Sequence, residues 1–121
     1  MKKIVVAGSR GFNDYEKLYE ILDDYDLTPE DEIVSGTARG ADKLGERYAK
    51  EHNIKIKRFP ADWNKYGKKA GYLRNEEMAK YCTEGVIFWD GDSKGTKHMI
   101  NLLSKHNKFA FIKIYTDRKE K

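Results

Sequence analysis

Cysteine is nearly absent from this chain, and so is any apolar run long enough to cross a membrane. Cys82 is the only cysteine among 121 residues, which excludes an intrachain disulfide and the clustered Cys and His ligands of a zinc site. No apolar stretch approaches the roughly 20 residues of a membrane-spanning helix. A strand-like pattern begins within the first few residues and leaves no room for a signal peptide. We therefore expect a cytoplasmic protein that needs no metal, cofactor or membrane.

A strong excess of one charge is also missing. The 24 basic and 20 acidic residues are interspersed and give a net charge of +4. This balance fits an anionic ligand or nucleic acid, and it fits an ordinary solvated surface equally well. The length is that of one domain and suffices for a core without disulfides. We predict a single domain over residues 1–116 and a basic, frayed C-terminal tail over residues 117–121.

Apolar residues occur in two alternating patterns, short continuous runs and helical spacing. The runs at 4–7, 33–34 and 86–89 are typical of strands buried on both faces. The runs at 54–59 and 109–115 carry Lys or Arg, which favours positions at the edges of the sheet. With helical segments between the strands, the pattern predicts an α/β fold with three layers. Its five-stranded parallel sheet has the expected order 3-2-1-4-5.

Each of the three buried strands leads into a glycine-rich loop and then into a helix. Glycine allows close approach of a ligand, and helix N-termini attract anions such as phosphate. At the strand-order reversal of an open α/β sheet these loops would meet around one pocket. No Gly-x-Gly-x-x-Gly dinucleotide motif is present. The candidate ligand- and phosphate-binding residues are Gly8, Ser9, Arg10, Ser35, Gly36, Thr37, Arg39, Gly40, Asp42, Arg74, Asn75, Trp89, Gly91, Ser93, Gly95 and Thr96.

The first two loops each allow a structural alternative. Ser9 and Arg10 could hold a phosphate, or the loop could be only a tight turn before a helix capped by Asn13 or Asp14. Asp42 could bind a ribose hydroxyl or order the Arg39 side chain in the second loop. It could equally be a favourable charge at a helix N-terminus.

Later in the chain the same choice recurs. Arg74, near the start of the helix expected to open at Gly71, could project into the pocket or pair with Glu77 on the surface. Trp89 could stack on a base or belong to the core.

The longest irregular stretch runs from residue 60 to residue 71. Trp63 and Tyr66 lie there among several lysines, which favours an ordered loop that faces a ligand. We predict that Trp63 and Tyr66 form a lid over the pocket.

Taken together, these motifs resemble the SLOG superfamily, named for the Smf/DNA-processing-protein-A and LOG (cytokinin-activating "lonely guy") proteins. The resemblance runs from the Val-Val-Ala-Gly-Ser-Arg segment at 5–10 to the Gly-Thr-Lys-His-Met-Ile segment at 95–100. It is strongest to a small bacterial and phage subfamily with a Ser-Gly-x-Ala-x-Gly-Ala-Asp loop, here residues 35–42. It implies a Rossmann-like fold and a nucleotide or nucleotide-derived ligand.

LOG enzymes of this superfamily cleave the N-glycosidic bond of a nucleoside monophosphate. Their Arg-Lys-x-x-Met helix is matched by Arg74, Asn75 and Met78. The glutamates that follow their Gly-Thr pair are replaced by Lys-His-Met at 97–99. Hydrolysis would therefore need another carboxylate, and the candidates are Asp42, Asp90, Asp92 and Glu77. The candidate catalytic residues are Asp42, Arg74 and Glu77.

Three functions follow from this resemblance and the residues that carry it. The first is binding of an adenine- or ADP-ribose-like or cyclic nucleotide signal by a sensor or sequestering protein. The second is an N-glycosidase or phosphoribohydrolase of LOG type. The third is single-stranded DNA binding, which we rank last because the glycine loops converge on a closed pocket. We also expect a homo-oligomer, since members of the superfamily often complete their pockets across a dimer.

Overall fold

Five parallel strands form one sheet with the order β3-β2-β1-β4-β5, as the sequence predicts. The structure, a computed structural model, describes residues 1–116, so the tail predicted at 117–121 lies outside the described residues. The strands are β1 (Lys3–Gly8), β2 (Glu32–Ser35), β3 (Lys55–Arg58), β4 (Glu84–Trp89) and β5 (Phe109–Ile114). The helices are α1 (Tyr15–Asp23), α2 (Ala41–Glu51), α3 (Trp63–Tyr66), α4 (Ala70–Tyr81) and α5 (Lys94–Lys105).

The helices cover both faces of the sheet and give three layers. On one face Leu18 and Leu22 of α1 and Tyr48 of α2 pack with Ile4 and Val6 of β1 and with other buried residues. The opposite face buries Met78 of α4 and Met99 and Leu103 of α5 against Val5 of β1 and Ile87 of β4. Successive residues of a strand point to opposite faces, so the central strands must be apolar throughout. This is a Rossmann-like α/β fold.

Side-chain caps fix where two of the helices begin. Asp14 accepts a hydrogen bond from the amide of Lys17 at 3.1 Å and caps α1. Ser93 accepts one from the amide of Thr96 at 3.4 Å and caps α5. Both are residue types that favour the N-cap because a short oxygen side chain can replace a missing backbone acceptor. Each cap closes one of the glycine-rich loops against its helix.

The stretch predicted to be irregular, residues 60–71, contains a short helix instead. Asp62 accepts a hydrogen bond from the amide of Lys65 at 3.1 Å and starts α3. Gly67, with a φ of 59°, ends that turn, and a 3₁₀ turn then leads into α4. A single helical turn has no apolar periodicity to reveal it, so the prediction of a loop was wrong here. Helix α4 begins at Ala70, one residue before the predicted start.

Candidate functional site

A cavity of about 460 Å³ opens beyond the carboxyl ends of β1 and β4. The strand order reverses at this point, because β1 pairs with β2 on one side and β4 on the other. Open α/β sheets bind their ligands at such a position. The volume lies within the range of about 300–1,000 Å³ that is usual for small-molecule sites. The lining residues are Ala7, Gly8, Ser9, Arg10, Gly11, Ala38, Asp42, Arg74, Asn75, Met78, Asp90, Ser93, Gly95, Thr96 and Met99.

Two glycines allow the loops around this cavity to pack closely. A Cβ atom on Gly8 would lie 2.2 Å from the carbonyl oxygen of Phe88 in β4. Gly40 has a φ of 85°, and a Cβ atom there would lie 2.5 Å from the carbonyl oxygen of Ser9. Any side chain at either position would force the backbones apart. Because only glycine fits at these two positions, the first loop can pack directly against the second loop and against β4.

Ser9 ties the first loop to the loop after β4. Its side chain is buried, and its Oγ accepts a hydrogen bond from the amide of Asp90 at 3.1 Å. The amide of Ser9 donates to the carbonyl of Phe88, and the amide of Phe12 donates to the carbonyl of Ser9. The amides of Arg10 and Gly11, which lie between Ser9 and Phe12 in the sequence, donate to no acceptor within residues 1–116. They are donors on the wall of the cavity that remain available to a ligand.

Asp42 and Arg74 lie together beneath the second loop. Asp42 is 5% exposed and accepts a hydrogen bond from the amide of Ala38 at 3.2 Å. Arg74 donates to the carbonyl of Gly36 and, at 3.1 Å, to Oδ1 of Asn75. A Cβ atom on Gly36 would lie 2.8 Å from Oδ2 of Asp42 and 2.9 Å from Nη1 of Arg74. The glycine thus leaves room for both side chains at once.

The environment of this pair shifts both pKa values. Burial raises the pKa of Asp42 to about 6, against the smaller opposing effects of the Ala38 amide and the Arg74 charge. Burial lowers the pKa of Arg74, the Asp42 carboxylate raises it, and the positive charge of Arg10 lowers it further. Asp42 can therefore exchange a proton near neutral pH, which ordinary aspartates do not.

Asn75 joins α4 to the first turn of α5. Its side chain is buried, and its Nδ2 lies 3.3 Å from the carbonyl of Gly95 and 3.4 Å from Nδ1 of His98. Because its Oδ1 accepts from Arg74, the same amide orients that guanidinium toward the cavity wall. Asn75 therefore positions Arg74 relative to the N-terminus of α5.

The loop after β4 is held by its own polar groups. Asp90 accepts hydrogen bonds from the amides of Asp92 at 2.9 Å and Ser93 at 2.8 Å, and these bonds lower the pKa of its carboxyl group. Trp89 donates from Nε1 to the carbonyl of Ser93 at 3.0 Å. This hydrogen bond from the Trp89 indole stabilises the conformation of the loop. Trp89 itself lies outside the lining of the cavity.

Comparison with known proteins identifies the family. The model of the YAcAr family, described as the YspA, cpYpsA-related SLOG family, matches residues 2–66. The Gene 61 protein of Mycobacterium phage D29 is 33% identical over an alignment of 117 residues, and the match covers 87% of this chain and 90% of the phage protein. The chain belongs to the SLOG family. No solved structure matches it. Membership of the family indicates a nucleotide-related ligand in general.

A second cavity of about 470 Å³ adjoins the first in this SLOG protein. The two share Arg10, Ala38 and Arg74 in their linings. The remaining walls of the second cavity come from the second loop and from the segment that carries α3. They are Gly36, Thr37, Arg39, Pro60, Ala61 and Trp63.

Four of the predicted ligand-binding residues lie outside the linings of both cavities: Ser35, Gly40, Trp89 and Gly91. The Ser35 hydroxyl donates to the buried carboxylate of Glu46 at 2.6 Å and accepts from the amide of Thr37 at 3.0 Å. Tyr66 and Glu77 line a third depression on the outer side of α4, where Arg74 also contributes. Apart from Asp92, which is exposed and lines none of these three depressions, the other predicted residues line the first or the second cavity.

Several residues of the site were not among the sequence-based candidates for ligand binding. Met78 and Met99 provide apolar surface beside the polar groups of the first cavity. Glu46, which lies four residues after Asp42 on the same helix face, lines neither cavity but fixes the Ser35 hydroxyl next to the second loop. Burial would raise the pKa of Glu46, but hydrogen bonds from Ser35 and Arg58 outweigh that effect and lower it.

The described residues offer no cluster of metal ligands and no membrane-spanning helix. No group of three or more His, Cys, Asp or Glu side chains within residues 1–116 is placed to hold a metal ion. No helix in the same part of the chain is long and apolar enough to span a bilayer. The homo-oligomer that we expect from the sequence stays a prediction.

Proposed function

We propose that this SLOG protein binds a phosphate-bearing nucleotide, adenine- or ADP-ribose-like or cyclic, and acts as a sensor or sequestering protein. The observation that carries the proposal is the cavity at the strand-order reversal, where Arg10 and Arg74 lie close enough to influence each other. Neither guanidinium forms a close ion pair with a carboxylate of residues 1–116, although the Asp42 carboxylate acts on Arg74 at longer range. A bound phosphate would relieve the repulsion between these two positive charges.

Backbone groups add to this attraction. The cavity is lined by residues at the N-terminal ends of two helices, Asp42 in α2 and Gly95 and Thr96 in α5. Helix N-termini present unpaired amides and the positive end of the helix dipole. The Thr96 amide already donates to Ser93, but the uncapped amides of these helix ends and the amides of Arg10 and Gly11 form a donor set that suits phosphate oxygens.

The rest of the nucleotide has its own partners in the same cavity. Met78 and Met99 offer polarizable apolar surface to a base or sugar ring. The Asp42 carboxyl, on the cavity wall, is suited to accept a hydrogen bond from a ribose hydroxyl. Polar and apolar groups in one cavity are what a ligand of mixed polarity needs.

The test is a thermal-shift panel of mononucleotides, dinucleotides and cyclic nucleotides, followed by chromatography of the ligand released on heating. We expect stabilisation by at least one nucleotide, with that nucleotide recovered intact. Arg10→Gln and Arg74→Gln should each weaken its binding about 10- to 100-fold, because each removes a charge-assisted hydrogen bond worth about 1.5–3 kcal/mol.

Lys97→Gln is the matched control, since Lys97 is exposed and lies outside the linings of both cavities. It removes the same charge and should leave the affinity within about twofold. Equal losses in all three variants would mean that only net charge matters. A panel without any stabilising nucleotide would contradict the proposal.

A second candidate, hydrolysis of the N-glycosidic bond, is favoured by one observation. Asp42 has a pKa of about 6 and faces the cavity, so it is suited to transfer a proton to a leaving base. The same chromatography would then show a free base and a ribose phosphate. Asp42→Asn should abolish that turnover and keep the binding.

A further inference from the structure

We propose that the ligand has two parts joined by a pyrophosphate, as in ADP-ribose or a dinucleotide, and that it spans both cavities with its second part against Trp63. This inference rests on the proposed function and narrows its ligand class. A mononucleotide would occupy the first cavity alone. Three observations support a two-part ligand: the residues that the two cavities share, the charge of the second cavity and the exposure of Trp63.

The two cavities meet at positive charge. Arg10 and Arg74 line both, so the guanidiniums lie at the junction and not at one closed end. A ligand that placed a terminal phosphate there would leave the second cavity empty. A pyrophosphate carries charge in the middle of the ligand, where these guanidiniums are, and continues on both sides.

The second cavity is itself basic. Arg10, Arg39 and Arg74 line it, and no acidic residue does. Arg10 and Arg39 are exposed, and neither makes an ion pair with any described residue. The first cavity differs, since Asp42 and Asp90 line it. The excess of positive charge therefore lies on the side of the junction that a mononucleotide would not fill.

Trp63 gives this cavity an aromatic wall. The side chain is 51% exposed on α3, and its ring lies 3.4 Å from where a Cβ atom on Gly71 would be. A large exposed indole beside guanidinium groups offers a face on which a planar ring can stack. The ring thus lies beside Gly71 of α4 and keeps half of its surface exposed for a ligand.

Another part of the wall of the second cavity is backbone under strain. Thr37 has a φ of 68°, a conformation that β-branched residues rarely adopt. It is held there by the hydrogen bond from its amide to Ser35, whose hydroxyl is in turn fixed by Glu46. Thr37 lines the second cavity and not the first. Strain of this kind persists where the surroundings fix it, and it concentrates at ligand-binding sites.

The experiment compares AMP with ADP-ribose by isothermal titration of the full chain. We expect wild type to bind ADP-ribose at least tenfold more tightly than AMP. Trp63→Ala should weaken ADP-ribose binding about tenfold, the loss expected for one removed ring stack, and change AMP binding less than about twofold. Trp63→Phe, which keeps a stacking ring, should recover most of the loss.

Tyr72→Ala is the matched control, because Tyr72 is an aromatic residue of similar exposure that lines neither cavity. It should leave both affinities unchanged. Equal affinities of wild type for the two ligands, or an equal effect of Trp63→Ala on both, would overturn this inference while the proposed function stands. Failure of wild type to bind either probe, or any other nucleotide of the panel, would overturn both.

Discussion

At the scale of the single residue, Asp42 connects the site to stability. Its ordinary pKa is 3.8 and its pKa in the folded protein is about 6, chiefly because burial disfavours the charged form. The folded state therefore holds a proton between these pH values that the unfolded state has released. The contribution of this group to stability is complete below pH 4 and is lost as the pH rises through 6. The difference corresponds to about 3 kcal/mol.

We predict that Asp42→Asn removes the loss of stability that wild type shows as the pH rises through 6. Urea unfolding of both proteins at pH 4, 5, 6 and 7 measures it, because the other carboxylates titrate alike in the two. The stability of the variant relative to wild type should rise by up to about 3 kcal/mol between pH 4 and pH 7. A relative stability that is the same at all four pH values would show that Asp42 titrates normally.

Individual residues also show where sequence reasoning reaches its limit. The convergence of Gly8, Arg10 and Asp42 could be predicted because parallel strands bring their following loops to one edge of the sheet. The hydrogen-bond partner of the Ser35 hydroxyl could not be predicted from the sequence. Glu46 is eleven residues away on α2, and only the packing of that helix on β2 brings the two together. The Trp89 indole is likewise engaged by a carbonyl of its own loop.

At the scale of the element, continuous apolar runs predicted β1, β2 and β4 well, because burial on both faces leaves little choice of residue. The charged residues that placed β3 and β5 at the edges were equally informative. Helix α3 escaped prediction because one turn shows no periodicity. Helix ends are less visible in sequence when a distant side chain helps to fix them.

The C-terminus of α4 is such an end. The ammonium group of Lys108 donates to the carbonyls of Ala79 at 3.0 Å and Lys80 at 3.2 Å, and also to that of Cys82. These carbonyls lie at or just after the last turn, where acceptors lack helical partners and the dipole is negative. Lys108, which directly precedes β5, thus fastens α4 to the neighbouring edge of the sheet.

We predict that Lys108→Met destabilises the protein by about 1–3 kcal/mol, because half-buried carbonyls lose a charged donor. The free energy of unfolding in urea at pH 7 measures the effect. Lys97→Met removes an exposed charge on α5 and should change stability by less than about 0.5 kcal/mol. Similar values for the two variants would mean that the contacts of Lys108 contribute nothing beyond its charge.

At the scale of the whole molecule, the two apolar cores share their central strands. Val6 of β1 and Phe88 of β4 belong to the core under α1 and α2. Val5 and Ile87, their neighbours in sequence, belong to the core under α4 and α5. Neither core can lose its strands without exposing the other. The single domain over residues 1–116 stays a prediction, and unfolding experiments test it because it implies that both cores unfold together.

Leu22 in α1 and Leu103 in α5 are fully buried on opposite faces, so Leu22→Ala and Leu103→Ala perturb one core each. Each substitution should lower the free energy of unfolding by about 2–5 kcal/mol. Tryptophan fluorescence reports on the second face through Trp89, which packs against that core. In a single domain, Leu22→Ala shifts the urea midpoint of tryptophan fluorescence as far as that of far-UV circular dichroism. If fluorescence kept the wild-type midpoint while circular dichroism moved, the two helix layers would unfold separately and residues 1–116 would not be one cooperative domain.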